Sequence, residues 1–152
     1  MVVGVISDTH GLLRPEALEA LAGVSHILHA GDVGNADFLT MLGEIAPVTA
    51  IRGNIDAYCP CAELPPTEAV ELGGCFVYML HAIDDLDLQP RAAKIDVVVY
   101  GHSHKPSIAK RDGVLYLNPG SAGPRRFSLP VTLALLCIED GRATAEIVSL
   151  VD

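Results

Sequence analysis

Among the residues whose side chains can bind divalent metal ions, seven stand in short polar stretches. Asp8 and His10 stand in "SDTH", Asp32 in "GD", and Asn54 in "GNID" with Asp56 two positions on. His81 stands alone, and His102 and His104 flank one serine in "GHSH". Carboxylate, imidazole and amide donors suit manganese, iron, zinc, cobalt or nickel. The set holds no thiolate, which argues against copper(I) or an iron–sulfur cluster. Neutral imidazole is the commonest ligand of this kind, so the paired histidines of "GHSH" call for an explanation.

Each cluster follows an apolar run that reads as a strand. "VVGVI" at 2–6 precedes Asp8, "HILHA" at 26–30 precedes Asp32, and "VTAI" at 48–51 precedes Asn54. "CFVYML" at 75–80 precedes His81, and "VVVY" at 97–100 precedes "GHSH". Taken singly, each residue has a plain structural reading. Asp8 could cap a helix, Asp32 could sit in a turn, Asn54 could supply a positive φ, and His81 could be a hydrogen-bonded bystander. Recurrence after five strands favours one shared site. In open α/β sheets ligands gather beyond the carboxyl ends of the strands, and parallel strands deliver all five loops to one rim.

The elements between support that order. "RPEALEALAG" predicts a helix, with Pro15 in its first turn and Gly23 at its end. "ADFLTMLGEIA" has the helical apolar period through Phe38, Leu39, Leu42, Ile45 and Ala46. "LDLQPRAAKI" predicts a short helix interrupted by Pro90. "AVEL" at 69–72 pairs with 75–80 through Gly73-Gly74. The last third predicts hairpins around Asp112-Gly113 and Asp140-Gly141. A chain that opens β-α-β and closes in hairpins makes a two-sheet core with helices outside.

The bulk numbers set limits. With 152 residues, half of them hydrophobic, one domain spanning 1–152 is expected. The net charge of −9 and the ten scattered Lys and Arg disfavour a nucleic-acid partner. No run of about 18 apolar residues suggests a membrane span, and "MVVGVISDTHG" has no basic n-region of a signal peptide. A cytoplasmic location is the expectation. Cys75 and Cys137, in strand-like runs, read as small buried hydrophobes. Cys59 and Cys61 form one "CPC", expected to be loop cysteines without function.

"DTH", "GD", "GN", a lone His after a strand, and "GHSH" occur in the order of the calcineurin-like metallophosphoesterases. "GHSHKP" and "NPGS" (118–121) make the chain resemble the small single-domain phosphodiesterase branch, which includes the retromer subunit of this fold. The resemblance runs from Met1 to about residue 150. It implies an α/β fold: a four-layer α-β-β-α sandwich of two mixed β-sheets flanked by helices. It implies two divalent metals, manganese foremost, with iron, zinc, nickel, cobalt or magnesium as alternatives. Asp8, His10, Asp32 and His104 would hold the first, and Asp32, Asn54, His81 and His102 the second, with Asp32 bridging. Asp32, Asn54, His81 and His102 are thereby also the expected catalytic residues. The implied reaction is hydrolysis of a small phosphoester, a phosphodiester or nucleotide-like molecule, by in-line attack of a metal-bridging hydroxide. No membrane partner is implied, and a homo-oligomer is compatible with everything above.

The chain departs from the family pattern at two places. Larger relatives carry histidine after "GN"; here Ile55 cannot donate a proton, which predicts a preference for good leaving groups. Ala82 replaces the usual glycine after the second-metal histidine. Asp56 is expected to be structural, and His29 a core residue or a support for a ligand. His26 is expected to be exposed. "IDDLDL" reads as a solvated acidic helix start, with repulsion of polyanionic substrates as a sharper alternative. Arg125 and Arg126 are expected in surface salt bridges, with contact to a phosphate as the second reading. "FSLPVTLALLCI" at 127–138 reads as a buried strand rather than an exposed docking patch. Besides the phosphodiesterase, a protein-interaction scaffold of the same fold and a phosphomonoesterase remain open.

Overall fold

The computed structural model describes residues 1–58 and 60–151, so Cys59 of "CPC" lies outside the described residues. Among the described residues, ten strands form two five-stranded mixed sheets. In the first sheet β1 (Val2–Ile6), β2 (His26–His29) and β3 (Val48–Ala50) are parallel. In the second, β4 (Thr67–Leu72) pairs antiparallel with β5 (Cys75–Leu80), which runs parallel to β6 (Val97–Val99). Then β7 (Ser107–Arg111) pairs antiparallel with β8 (Val114–Asn118), and β8 lies parallel to β6. Finally β9 (Thr132–Glu139) returns to the first sheet beside β1, with β10 (Arg142–Ser149) at its edge.

The hairpins follow from their turn residues. Asp112-Gly113 (φ 51 and 78) and Asp140-Gly141 (φ 52 and 73) both take the left-handed pair of angles that matches strand twist in a two-residue loop. Between the sheets lies the main core, with Val3, Val5 and Leu28 of the first facing Val77, Met79 and Val97 of the second. Each such side chain, fully buried, contributes about 1.5–3 kcal/mol of transfer free energy. In the run 127–138, residues 127–130 precede the strand and Phe127 is 90% exposed, so the buried-strand expectation holds for the second half alone. Only 132–138 lies in β9, whose residues alternate into this core. That alternation also corrects one expectation. Leu136 and Ile138 point inward, so Cys137 between them is exposed, whereas Cys75 is buried.

Two short helices, α1 (Pro15–Ala20) and α2 (Asp37–Gly43), cover the outer face of the first sheet. Ala17, Leu21 and Leu42 pack there on Ile6 and Ile27. The outer face of the second sheet is covered differently. Ile83, Leu86 and Leu88 pack near Val98 and Val114, yet this segment holds only a 3-10 helix, Ile83–Asp85, followed by turns. The helix predicted in "LDLQPRAAKI" does not form. Pro90 disfavours helical angles at Gln89, and only isolated turn bonds such as Ile95 N–H to Pro90 O (2.8 Å) remain. No helix among the described residues is long and apolar enough to cross a membrane.

Candidate metal centre

The carboxyl ends of β1, β2, β3, β5 and β6 meet at one rim. Beyond β1 and β2 the two loops continue side by side: Asp8 N–H donates to Gly31 O (3.0 Å), His10 N–H to Asp32 O (2.9 Å) and Gly11 N–H to Val33 O (3.1 Å). The second sheet joins them through His102 N–H to Asp8 Oδ2 (3.1 Å) and His81 Nδ1–H to Ala30 O (2.7 Å).

Five of the seven expected ligands adopt left-handed backbone angles: Asp8 (φ 56), His10 (46), Asp32 (56), His102 (71) and His104 (64). Such angles cost non-glycine residues about 1–2 kcal/mol each, and Asp and His are among the side chains that visit them most readily. They turn the chain inward directly after each strand. The local structure of "GHSH" is therefore a pair of bends rather than the extended segment that would aim His102 and His104 the same way.

Two groups of possible ligand atoms result: Asp8, His10 and His104, and Asp32, His81 and His102. Asp8 Oδ2 accepts from the Ser7 hydroxyl (2.8 Å) and from His102 N–H, while Oδ1 is buried with no hydrogen-bond partner. That Oδ1 lies 3.6 Å from Nε2 of both His10 and His104, and 3.7 Å from Nε2 of His81. Asp32 is also divided. Its Oδ1 accepts from Ile55 N–H (3.0 Å), and its Oδ2 lies 3.3 Å from His10 Nε2 and 3.1 Å from His81 Nε2.

Despite these approaches, His10 Nε2 and His81 Nε2 are buried without a hydrogen-bond partner. Ligand atoms around one cation at about 2.1 Å stand about 3–3.5 Å apart. The spacing and the orphaned atoms fit coordination of a third atom better than mutual hydrogen bonding. For His81, Nδ1–H is spent on Ala30 O, so Nε2 is the ring nitrogen that faces the centre.

The field at the centre favours positive charge. The Asp32 and Asp8 carboxylates push the His10 pKa up to about 9. Burial alone would lower the His81 pKa, but Asp32, the Ala30 carbonyl and Asp8 outweigh it and raise it. Burial would raise Asp32, yet His10, His81 and the Ile55 N–H together hold it well below the usual carboxylate range. Burial lowers the pKa of His104, with Asp8 opposing it and Arg126 adding to it.

Asn54 opens the 3-10 helix Asn54–Tyr58 and lines a cleft of ≈ 540 Å³ with His81 and His102. Ala82, Asp84 and Asp85 line the same cleft, so the acidic "IDDLDL" stretch stands at its rim, its first three residues forming the 3-10 helix Ile83–Asp85. Ile55 is 40% exposed, and its contribution to the centre is its backbone N–H.

Several residues outside the ligand set support the centre. Asp56 is buried, and it accepts from Val33 N–H (3.2 Å), Gly34 N–H (3.0 Å) and Gly53 N–H (2.8 Å). It locks the loop after β2 to the loop after β3, as its structural reading requires. Asn118 of "NPGS" donates to Gly101 O (3.1 Å) and Ser103 Oγ (3.2 Å), which braces "GHSH". Ser121 Oγ donates to Asp8 O (3.0 Å). His26 departs from expectation: it is half-buried and its Nε2 contacts Thr49 Oγ1 (2.8 Å).

His29 is fully buried, between the two ligand loops. Its Nδ1 accepts from Gly31 N–H (3.1 Å), so the proton sits on Nε2 and is donated to Thr9 Oγ1 (3.1 Å), whose own hydroxyl donates to Val33 O (2.7 Å). Burial holds its pKa down to about 4. The unfolded chain takes up this proton near pH 6.5 and the folded chain does not. Stability from His29 is thus complete above pH 6.5 and is lost as pH falls towards about 4, by about 1.4 kcal/mol per pH unit. Urea-unfolding midpoints between pH 7 and pH 4 should fall more steeply for the wild type than for His29→Gln; parallel slopes would remove His29 as a cause.

With this geometry in place, comparison with known proteins gives the family. The calcineurin-like phosphoesterase superfamily domain matches residues 1–141, and the chain belongs to that superfamily. A probable metallophosphoesterase of Methanothermobacter thermautotrophicus is 35% identical over 160 residues, covering 97% of this chain and 92% of that protein. The phosphodiesterase YfcE of Escherichia coli K12 is 29% identical, covering 86% and 84%. The same fold occurs in the zinc complex of Vps29 from Entamoeba histolytica, with a TM-score of 0.75, 23% identity, and coverage of 99% of this chain and 100% of that one.

Proposed function

We propose that the chain, as a single domain over 1–152, is a dinuclear-metal-dependent phosphodiesterase acting on small phosphodiester or nucleotide-like substrates. One observation carries this reading. Asp32 offers a single free oxygen, Oδ2, and it stands between His10 Nε2 at 3.3 Å and His81 Nε2 at 3.1 Å, one from each ligand group. An oxygen so placed could bridge two cations. In this reading Asp8, His10, Asp32 and His104 hold one cation, and Asp32, Asn54, His81 and His102 hold the other. Two divalent cations, manganese foremost, would supply Lewis acidity toward phosphoryl oxygens and a water acidic enough to attack phosphorus.

The chain's own residues do the positioning. Ser7 and His102 N–H keep Asp8 Oδ2 occupied so that Oδ1 faces inward. Ala30 O sets the His81 ring. Asn54 and His102, both exposed on the cleft wall, are the members that can also touch substrate. Ile55 offers no proton to a leaving group, so activated esters are the better substrates. The family membership and the phosphodiesterase name of one relative agree with this chemistry.

A scaffold role is the second reading, favoured by the exposed Ile55 side chain where an acid would be useful. Chelator-stripped protein given Mn²⁺ should bind two ions and hydrolyse bis-p-nitrophenyl phosphate faster than p-nitrophenyl phosphate. His104→Ala should lose at least about 10²-fold in kcat/KM, the cost of one transition-state contact. Two bound metals without hydrolysis would favour the scaffold, and faster monoester turnover would make the protein a phosphatase.

A further inference from the structure

On the side of the centre away from the ≈ 540 Å³ cleft lies a second, smaller pocket of ≈ 190 Å³, lined by His10, His104, Pro124, Arg125 and Arg126. Its floor is two histidines of the first ligand group, and its wall is the chain's only Arg-Arg pair. Pockets for drug-sized ligands run from about 300 Å³ upward, so this one admits a small group only.

The loop that carries the arginines is fixed on the ligand loop at each step. Ala122 N–H donates to Ser7 O (3.1 Å), and Ser121 Oγ donates to Asp8 O. Gly123 is pressed so closely on the Asp8 and Thr9 carbonyls that a Cβ there would collide with both. Arg14, through Nε and Nη2 (3.2 Å each), holds Gly123 O. The next three residues are Pro124, Arg125 and Arg126, so a rigid anchor delivers two guanidinium groups to the mouth of the centre. Arg126 is exposed and makes no salt bridge among the described residues. The salt-bridge expectation fails for it, in a protein with nine acidic charges in excess. An exposed arginine that lines a pocket with two ligand histidines and pairs with no carboxylate has its donors free for an anion from solution.

We infer that Arg126 forms an anion subsite beside the first metal position and selects substrates that carry a second anionic group, phosphate or carboxylate, near the scissile phosphate. The larger cleft bears Asp84 and Asp85 against one arginine, Arg52, whose Nη1 is held by Ala62 O and Leu64 O, so it is acidic on balance and favours a neutral or cationic substituent. The two sides of the centre thus have opposite polarity, and the substrate is oriented by charge. This inference rests on the phosphodiesterase reading and names the class of substrate within it.

The test uses two product-like probes of nearly equal shape, glycerol 3-phosphate and 3-phosphoglycerate, which differ by a carboxylate in place of a hydroxymethyl group. Binding to the Mn²⁺-loaded full chain is measured by calorimetry for the wild type, Arg126→Ala and Arg126→Lys. The wild type should bind 3-phosphoglycerate about ten-fold or more tighter, as expected for a charge-assisted bidentate contact. Arg126→Ala should erase that preference while leaving glycerol 3-phosphate binding within two- to three-fold and the melting temperature unchanged. Arg126→Lys should keep part of it. Equal binding of the two probes by the wild type, or a preference that survives in Arg126→Ala, overturns the subsite while the phosphodiesterase reading stands. Failure of the loaded wild type to bind either probe overturns both.

Discussion

Asp32→Asn should remove metal pairing and nearly all hydrolysis while the chain stays folded. The amide keeps the shape, and its oxygen can still accept the Ile55 N–H that Asp32 Oδ1 accepts at 3.0 Å. Its nitrogen then takes the place of Oδ2, between His10 and His81. An amide nitrogen carries hydrogens and has no lone pair for a cation, and the positive pull on the centre is lost with the charge. His10 in the variant should also titrate below its value of about 9, since Asp32 is the main cause of that rise. We expect metal content to fall from two ions per chain to one or fewer. The fall in kcat/KM should exceed about 10³, because a bridging ligand acts on both ions, and even one transition-state contact is worth about 10²–10³. Elemental analysis and bis-p-nitrophenyl phosphate kinetics, run on the same samples, decide it. A variant with two bound ions and activity within ten-fold of wild type would show that Asp32 does not bridge.

Gly53→Ala should damage the same site from outside the ligand set. A Cβ on Gly53 would collide with the Asp32 Oδ1 and main-chain nitrogen, and would stand 2.7 Å from Asp32 Cγ. The obstacle includes backbone, so no rotamer change relieves it. Gly53 N–H also donates to Asp56 Oδ2 (2.8 Å), the carboxylate that locks the two neighbouring loops. The loops must separate by enough to admit a methyl group. Overpacking of this kind costs about 1–3 kcal/mol, which for a chain of this length lowers Tm by roughly 2–12 °C. Asp32 Oδ2 should move with its backbone, so the second ion should be lost before the fold is. Calorimetric Tm and metal stoichiometry on one preparation give both numbers. An unchanged Tm with two bound ions would mean that the loops tolerate the methyl group and that their spacing is not critical.

Both results depend on features that differ in how far the chain's residue order exposes them. The strands were legible because each is a compact run of apolar and β-branched residues, as in "VVGVI" and "VVVY", followed at once by polar residues. The three hairpins were legible because Asp-Gly and Gly-Gly suit few other conformations. The 83–95 segment was not. Its apolar residues looked helical, but Leu86 and Leu88 pack on the second sheet from turns, where Pro90 blocks a helix. Cys137 was misread because period-two burial within a strand has a phase, and the phase is set by pairing.

The metal-ligand types and their placement after strands are local properties, so the sequence by itself determined them, together with the family resemblance they carry. Only the tertiary structure decided which oxygen or nitrogen of each residue faces the centre. Asp8 Oδ1 is free because Ser7 and His102 occupy Oδ2, and His81 Nε2 is free because Ala30 holds Nδ1. Ser7 is the residue next to Asp8, but His102 comes from the other sheet, 94 positions along the chain, and Ala30 from a strand end 51 positions from His81. The same holds for Arg126, whose setting beside His10 and His104 is fixed by Arg14 and Gly123 packed on the first loop. Spacing along a chain reports which groups are present. Only closure of two sheets onto one rim satisfies some of their atoms and leaves the others aimed at a common point.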